Sequence, residues 1–408
     1  MEQWANDFSR AGNRITATAN DADVIVMNTC AVTQEAVRKS RQRTQRLQRA
    51  NPSAKLVISG CYSTMETPSA LAELGVDLVV PNSDKDHLVK LTRDAFNQPS
   101  MPESATLPAE TALFRRNRHR AFIKIQDGCR YRCTFCIVTV ARGSERSRSI
   151  KDIVQEVNNL HRSNVHEVVL TGVHVGGYGS DLDTNLYSLV STLLQDTDIP
   201  RIRFASVEPW DLSTEFLTLF QNPRIMPHMH LPLQSGCDSV LKRMARRCRT
   251  EDFSQLVASL HETVPGFNVT TDLIVGFPGE TADEWQTTLQ YLRDQQFGHM
   301  HIFTYSERDG TRAASLPGKV EKSVRQARSR ELHELAASQR KTVLTKALGK
   351  TVDVLWEGGT LCDGGYRHTG YTPNYLKVQT VSPTDLGNQI APTLLQRIEN
   401  DHLFGLCT

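Results

Sequence analysis

Six strand-length apolar runs recur between residues 121 and 306: AFIKIQ (121–126), EVVLTG (167–172), RIRFAS (201–206), HMHLPLQ (228–234), NVTTDLIVGF (268–277) and HMHIFTY (299–305). Helical patterns such as IVQEVNNLHRS (153–163) and EDFSQLVASLHETV (251–264) separate them. Strands that alternate with helices run parallel, because the crossover helix returns the chain to the same end of the sheet. Six such units predict a parallel (β/α)6 barrel, two units short of the eight-stranded form, with functional groups at the carboxyl ends of its strands.

A second α/β rhythm precedes the barrel. ADVIVMNTC (22–30), KLVISGC (55–61) and DLVVPN (77–82) read as strands of a small parallel sheet. Two of them run directly into cysteine, which puts Cys30 and Cys61 at the carboxyl edge, where open α/β sheets bind ligands; two buried structural thiols are the alternative. Between these strands, EAVRKSRQRTQRLQR carries Arg38, Lys39, Arg41, Arg43, Arg46 and Arg49 with no acid after Glu35. Such a helix faces phosphate or is simply solvated. NQPSMPESATLPAET (97–111) reads as a linker, and the basic patch RRNRHR (115–120) follows it.

At 408 residues the chain suffices for two or three domains, and no apolar run approaches the roughly 18 to 20 residues of a membrane span. A collagen-like chain, or one disordered throughout, is excluded by the recurring apolar blocks. The start, MEQWANDFSRAGNR, has no signal-peptide core, so a cytoplasmic protein with reduced thiols is expected. The net charge of +2 says nothing about nucleic acid; the nine cysteines, an odd count, argue for metal or redox chemistry.

The most specific local pattern is QDGCRYRCTFC at the end of the first barrel strand, with Cys129, Cys133 and Cys136 in Cys-x3-Cys-x2-Cys spacing. Three thiolates from one loop hold three irons of a 4Fe-4S cluster and leave the fourth open to a ligand. A structural zinc recruits four ligands, and no second pair completes one here.

With Phe135 in its aromatic slot, this loop resembles the hallmark of the radical S-adenosylmethionine (SAM) enzymes. NTCAVT around Cys30, SGCY around Cys61, CTFCIVTVARGSERSRS, LPLQSG (231–236), TDLIVGFPGET (271–281) and FTYSERDGT (303–311) match, in order, the methylthiotransferases within that group. VTVARGSERSRS, VLTGVHVGGYG (169–179) and SVEPWDL (206–212) look most like the branch acting on threonylcarbamoyladenosine in tRNA. Thr139, Val140, Ala141, Arg142 and Gly143 depart from both other branches, of which the isopentenyladenosine one more often has proline-tyrosine-threonine before its Arg-Gly.

The resemblance implies an α/β chain with a Rossmann-like methylthiotransferase domain (1–96), a linker (97–114), an incomplete radical SAM barrel with its C-terminal helix (115–345) and a small RNA-binding β-barrel of TRAM type (346–408). It implies a SAM-binding 4Fe-4S cluster on Cys129, Cys133 and Cys136, and a second on Cys30 and Cys61 that carries the transferred sulfur. Family members have a further strand ending in a Gly-Cys loop ahead of the helix that here reads MEQWANDFSRAG, so the sheet is expected to lack its first strand and the second cluster its third thiol. A late-assigned start codon, a cluster on two thiols plus another ligand, or its loss are the readings open. Cys237, in the QSGC turn, and Cys248, in a basic helix, are poor substitutes.

Phe135, Ser206, Glu208, Gln234, Ile274 and Gly276 are placed to meet SAM, although strand-end polarity or turn geometry explains each equally; Tyr305 and Arg308 are placed near the substrate. His228, His230 and His301 are read as barrel-lining histidines rather than metal ligands. The segment 324–349 reads as a spacer helix ending at glycine. KTVDVLWEG (350–358) and GYTPNYLKVQTV (370–381) alternate as half-buried strands, whereas PTLLQRIENDHLFGLCT is less clearly strand-like, and Cys407 is read as incidental. Lys350, Arg367, His368, Tyr371, Tyr375 and Lys377, with Arg38 and Arg41, are candidate RNA contacts.

The expected activity is addition of a methylthio group to C2 of threonylcarbamoyladenosine beside the anticodon. The alternatives are isopentenyladenosine in tRNA, an aspartate of a ribosomal protein, or a degenerate tRNA-binding chain without the second cluster. Expected partners are tRNA, an electron donor such as flavodoxin or ferredoxin, and a sulfur source, with no membrane.

Overall fold

A computed structural model describes residues 1–97 and 120–407. Nearly all of the expected linker (97–114) and the basic patch at 115–120, Asn97 and Arg120 apart, lie outside the described residues. The chain divides into two compact units, and the division does not follow chain order: residues 136–143 and 306–311 belong with the N-terminal unit.

The N-terminal unit is built on a parallel sheet of β1 (Val24–Thr29), β2 (Lys55–Gly60) and β3 (Leu78–Val80), in that order. Among the described residues β1 has a single strand neighbour, β2. Both faces are covered, as a parallel sheet requires. On one, Ile25, Met27, Leu56 and Ile58 pack with Val37 and Leu47 of the helix Gln34–Ala50 and with Leu71 and Leu74. On the other, Val57 and Val80 meet Leu88 together with Trp4 and Phe8, which lie one turn apart on the helix Glu2–Arg10.

The second unit contains the six expected barrel strands: β4 (Arg120–Lys124), β7 (Glu167–Thr171), β8 (Arg201–Phe204), β9 (His228–His230), β10 (Asn268–Val275) and β11 (His299–Thr304). A two-residue ladder, β5 (Gln126–Asp127) with β6 (Arg146–Ser147), follows β4. The pairings β4–β7–β8 and β9–β10–β11 are parallel, and the bridges Ile202 to Ile225 and Ser206 to His230 join β8 to β9. The barrel is therefore open, with β4 and β11 as its edges. Ile123, Val168, Leu170, Ile202, Phe204, Met229, Leu273, Val275 and Met300 face the surrounding helices in one continuous core. Residues of opposite parity line the lumen.

The helix Lys322–Ala347 is no free spacer. Its Arg328, Glu331 and Gln339 side chains bind Glu280, the Trp285 indole N–H and the Leu292 and Gln295 carbonyls, fastening it to the barrel. The C-terminal sheet runs β12 (Thr351–Trp356), β16 (Ile390–Glu399), β17 (His402–Cys407), β15 (Lys377–Ser382), β14 (Gly365–Tyr371) and β13 (Thr360–Cys362), and a β12–β14 pairing closes it. PTLLQRIENDHLFGLCT is thus a strand pair. A register shift between Leu395 and Arg397 breaks the alternation that would have marked it.

Candidate functional site

The cysteine loop leaves β5 at Gly128, and buried polar groups hold its base. The Gln126 Nε2 donates to the Gly128 carbonyl at 2.7 Å, while its Oε1 accepts from the amides of Val173 and His174 at 3.1 and 2.9 Å. Further along, Thr134 donates its amide to the Met244 carbonyl at 3.0 Å and accepts at its own carbonyl from Ala313 at 2.8 Å. Cys129, Cys133 and Cys136 are all partly exposed.

A carboxylate–histidine–carboxylate bridge braces the same loop. His174, 1% exposed, has Nδ1 at 2.5 Å from Glu145 and Nε2 at 2.6 Å from Asp211. Tyr131, inside the cysteine loop, donates its hydroxyl to Asp211 at 2.9 Å, and Arg130 pairs with Glu145 at 3.4 Å. Burial alone would lower the His174 pKa, but Asp211 and Glu145 outweigh it and hold the imidazolium above its ordinary range. The sequence motifs contain all four residues but not their roles, which exist only once positions 131, 145, 174 and 211 are brought together.

His174→Ala is expected to cost about 3 kcal/mol, since two buried carboxylates would then face each other with only the half-exposed Arg130, on the Glu145 side, as a nearby cation. Urea unfolding checks this, and pH sets the sign. A histidine with a raised folded-state pKa stabilises fully below the unfolded value of about 6.5 and loses that contribution as pH rises through the folded value. The gap between wild type and variant should therefore narrow at alkaline pH; a gap that widens there would sink the assignment.

Arg246, with a side chain 2% exposed, reaches the Cys133 sulfur at 3.8 Å and Glu208 at 2.6 Å, and lies over the Trp210 ring at 4.3 Å. Burial pushes the Cys133 thiol up, and the Arg246 charge opposes it. Glu208 is thus tied through Arg246 to the cysteine loop, with one carboxylate oxygen committed. Ser206 is exposed at the end of β8. Gln234 adopts a left-handed φ of 79° and is held by the Asp272 carbonyl and the Ile274 amide at 2.8 and 2.9 Å. Ile274 packs with Phe277 and Tyr305 in a small cluster that also takes in Phe135, whose ring lies 6.5 Å from that of Phe277. Gly276 has φ 72° and donates its amide to Glu280 at 2.8 Å; a Cβ there would lie 2.2 Å from Arg325.

In the N-terminal unit, Thr29 and Gly60 are register partners on adjacent parallel strands, so the residues that follow, Cys30 and Cys61, leave the same sheet edge side by side in the pairing. Gly60 permits this approach: at φ 109°, a Cβ would lie 2.2 Å from the Thr29 carbonyl oxygen. Ser40 clamps Cys30, donating to its carbonyl at 3.0 Å and accepting from its amide at 3.2 Å. Cys30 is exposed, whereas Cys61 is buried and receives the Arg142 Nε at 3.4 Å and the Asn82 amide nitrogen at 3.8 Å. Arg142 ends the short helix Val138–Arg142, so the unusual TVARG stretch delivers a cation to a thiol.

Two family models match the chain. The radical SAM superfamily covers residues 123–292, and an uncharacterized protein family, UPF0004, covers residues 1–81. A threonylcarbamoyladenosine tRNA methylthiotransferase, MtaB, of Bacillus subtilis is 34% identical over 94% of this chain and 87% of its own length. The chain belongs to the radical SAM methylthiotransferase family. Another of its relatives, a tRNA-2-methylthio-N(6)-dimethylallyladenosine synthase of Staphylococcus epidermidis, is 33% identical over 94% of this chain and 77% of its own. Among solved structures, the radical SAM methyltransferase TsrM of Kitasatospora setae superposes with a TM-score of 0.55 at 14% identity, over 77% of this chain and 68% of that one, a likeness of fold.

For a methylthiotransferase the donor sets are chemically apt. Iron–sulfur clusters take thiolates whose sulfurs accept hydrogen bonds, and Arg246 at Cys133 and Arg142 with Asn82 at Cys61 are such donors. The RNA candidates fare unevenly. Arg38, Arg41 and Lys350 are exposed, Arg38 in a pair with Glu35 at 2.9 Å, and Lys377 lies 2.9 Å from the His402 Nε2. His368, Tyr371 and Tyr375 do not offer free stacking faces. His368 is fully buried, Tyr371 stacks under Arg120 at 4.2 Å, and Tyr375 covers Arg203 and His228 at 4.7 Å each. The two tyrosine rings instead dock the C-terminal barrel onto the floor of the lumen, where they cover two cations, Arg120 and Arg203. Among the described residues no helix is long and apolar enough to cross a membrane.

Proposed function

We propose that this methylthiotransferase inserts a methylthio group at C2 of N6-threonylcarbamoyladenosine in tRNA, beside the anticodon, in the cytoplasm. The observation that carries the reading is the pair Cys30 and Cys61, which follow register-matched residues at one sheet edge in a chain that also has the Cys129, Cys133 and Cys136 loop. One three-thiol loop serves radical generation, and a second thiol site is what a sulfur-transferring enzyme needs in addition. The relatives named for threonylcarbamoyladenosine, at 33–36% identity, support the substrate. Those named for dimethylallyladenosine, at 30–33%, keep that nucleoside as the second reading.

In this reading Cys129, Cys133 and Cys136 would hold a 4Fe-4S cluster that binds SAM, and Cys30 and Cys61 would contribute to a second. When bound, these groups supply a 5'-deoxyadenosyl radical that removes a C–H hydrogen, and the sulfur that replaces it. The chain's own residues position and tune. Arg246 and Arg142 donate to ligand sulfurs, the Tyr131–Asp211–His174–Glu145 network fixes the loop, and Ile274, Gly276, Gln234, Ser206, Glu208 and Phe135 surround the cofactor. Arg38, Arg41, Lys350 and Lys377 meet RNA phosphate. A one-electron donor of flavodoxin or ferredoxin type and a sulfur source complete the cycle.

The test is mass spectrometry of tRNA nucleosides from a host lacking its own such enzymes and complemented with this chain. The 2-methylthio derivative of threonylcarbamoyladenosine is expected. Appearance of the isopentenyl derivative alone moves the assignment to the second reading, and no methylthio nucleoside at all overturns both.

A further inference from the structure

Three side chains with no role in the cofactor site share one wall of the barrel lumen. Met229, Leu273 and Met300 point into the outer core, so His230, Asp272 and His301 point the other way, on β9, β10 and β11. Register pairs Asp272 with His301 and Thr270 with His230. His230 Nε2 lies 3.1 Å from Asp272 Oδ1, His230 Nδ1 lies 2.9 Å from the Thr270 hydroxyl, and the His230 and His301 rings are 5.3 Å apart. One polar atom from each of the three falls within 4.8 Å of the others. The triad sits one layer below Ile274, which pairs in register with Phe303, a ring 46% exposed on the edge strand.

This wall is unusual for its polarity. Asp272 keeps its second oxygen for a donor, and the exposed His301 is held below its ordinary pKa by burial and by His230, so as a neutral ring it both donates and accepts. Deeper in the lumen, Arg120, Arg201 and Arg203 face two carboxylates, Glu167 and Glu357, which leaves the floor one positive charge in excess. Arg203 Nη1 and His228 Nδ1 there are buried without a hydrogen-bond partner among the described residues. An apolar substituent against this wall would strip water from Asp272 and His301 and return no hydrogen bond. A substituent carrying N–H, O–H and carboxylate groups matches both the triad and the positive floor.

We propose that His230, Asp272 and His301 form a substrate subsite that hydrogen-bonds the N6 carbamoyl-amino-acid group of the target adenosine and selects it over a hydrocarbon substituent. The inference rests on the function proposed above and assigns the residues that set the substrate class. Sites built on hydrogen bonds discriminate strongly against analogues that cannot make them, by as much as about 10⁴-fold.

The test uses reconstituted holoenzyme and anticodon stem-loops bearing threonylcarbamoyl-, isopentenyl- or unmodified adenosine, with kcat and KM read from the methylthio nucleoside. His301→Ala is the first variant, because its exposed position makes its loss compatible with folding. It should raise KM for the threonylcarbamoyl RNA by about tenfold or more and narrow the preference over the isopentenyl RNA, with His301→Gln recovering part of both. Asp272→Ala should act in the same direction. If wild type modifies the threonylcarbamoyl RNA and both variants keep its KM and preference, the subsite is overturned while the function stands. If wild type modifies only the isopentenyl RNA, function and subsite fall together. A stoichiometric divalent metal other than iron, present in wild type and lost in His301→Ala, would identify the triad as a metal site and overturn the proposal.

Discussion

Cys133→Ala is expected to abolish methylthiolation, with a loss of at least about 10³-fold, and to remove roughly four irons per chain from reconstituted protein. The cysteine loop offers three sulfurs, and a cubane that must keep one iron open has no spare ligand. Loss of Cys133 also leaves Arg246, almost fully buried, with Glu208 as its remaining ionic partner on that side. The contrast is Cys248→Ala. Cys248 is buried in the large core cluster, outside the cysteine loop, and burial pushes its thiol up to about 12, so its loss is expected to leave the iron count unchanged. Cys237 lies equally deep, in the cluster of Val240, Met244 and Phe277. Iron and sulfide counts with cleavage of SAM to 5'-deoxyadenosine check both variants. Iron loss in Cys248→Ala with retention in Cys133→Ala would refute the assignment of the loop.

What the sequence made legible has one physical source. A strand buried on its helix-facing side leaves a short apolar run, and all six barrel strands and the three N-terminal ones did so. Likewise the cysteine spacing is local, so it survives in one dimension. The C-terminal strand pair was obscured because the shift at Leu395 and Arg397 disrupts period two, and the helix Lys322–Ala347 resembled a spacer because its barrel contacts come largely from polar side chains. Tyr371 and Tyr375 suggested RNA stacking because aromatic and basic residues share a stretch, but the cations they cover, Arg120 and Arg203, lie some 170 to 250 positions earlier in the chain. The roles of Arg142, His174 and Arg246 were hidden for the same reason: each acts on a group brought near by folding.

The floor of the lumen yields the largest expected effect on stability. Glu167 is fully buried and holds Arg203 through two hydrogen bonds, at 2.8 and 3.2 Å, with Arg201 at 3.9 Å. Burial alone would raise its pKa, but the Arg203, Arg120 and Arg201 charges outweigh that and keep the carboxylate below its usual range. In Glu167→Gln, three clustered guanidiniums would be left with Glu357 alone, and breaking such a buried set costs about 3–5 kcal/mol, much of a typical 5–15 kcal/mol stability. Urea unfolding at neutral pH should show a correspondingly lower midpoint. A carboxylate with a depressed folded pKa stabilises above its unfolded value, about 4.3, and loses that contribution as pH falls through the folded value, so wild type and variant should converge in acid. Adding Arg203→Met should recover part of the loss, because the uncompensated cation is then gone. The same variant should loosen the C-terminal barrel, since Arg201 donates to the Asp353 and Tyr371 carbonyls and Arg120 pairs with Glu357 at 2.8 Å. Limited proteolysis near Gly349 should accelerate in Glu167→Gln. An unchanged midpoint with unchanged cleavage would mean that the aromatic cover, not the carboxylate, keeps these cations in place.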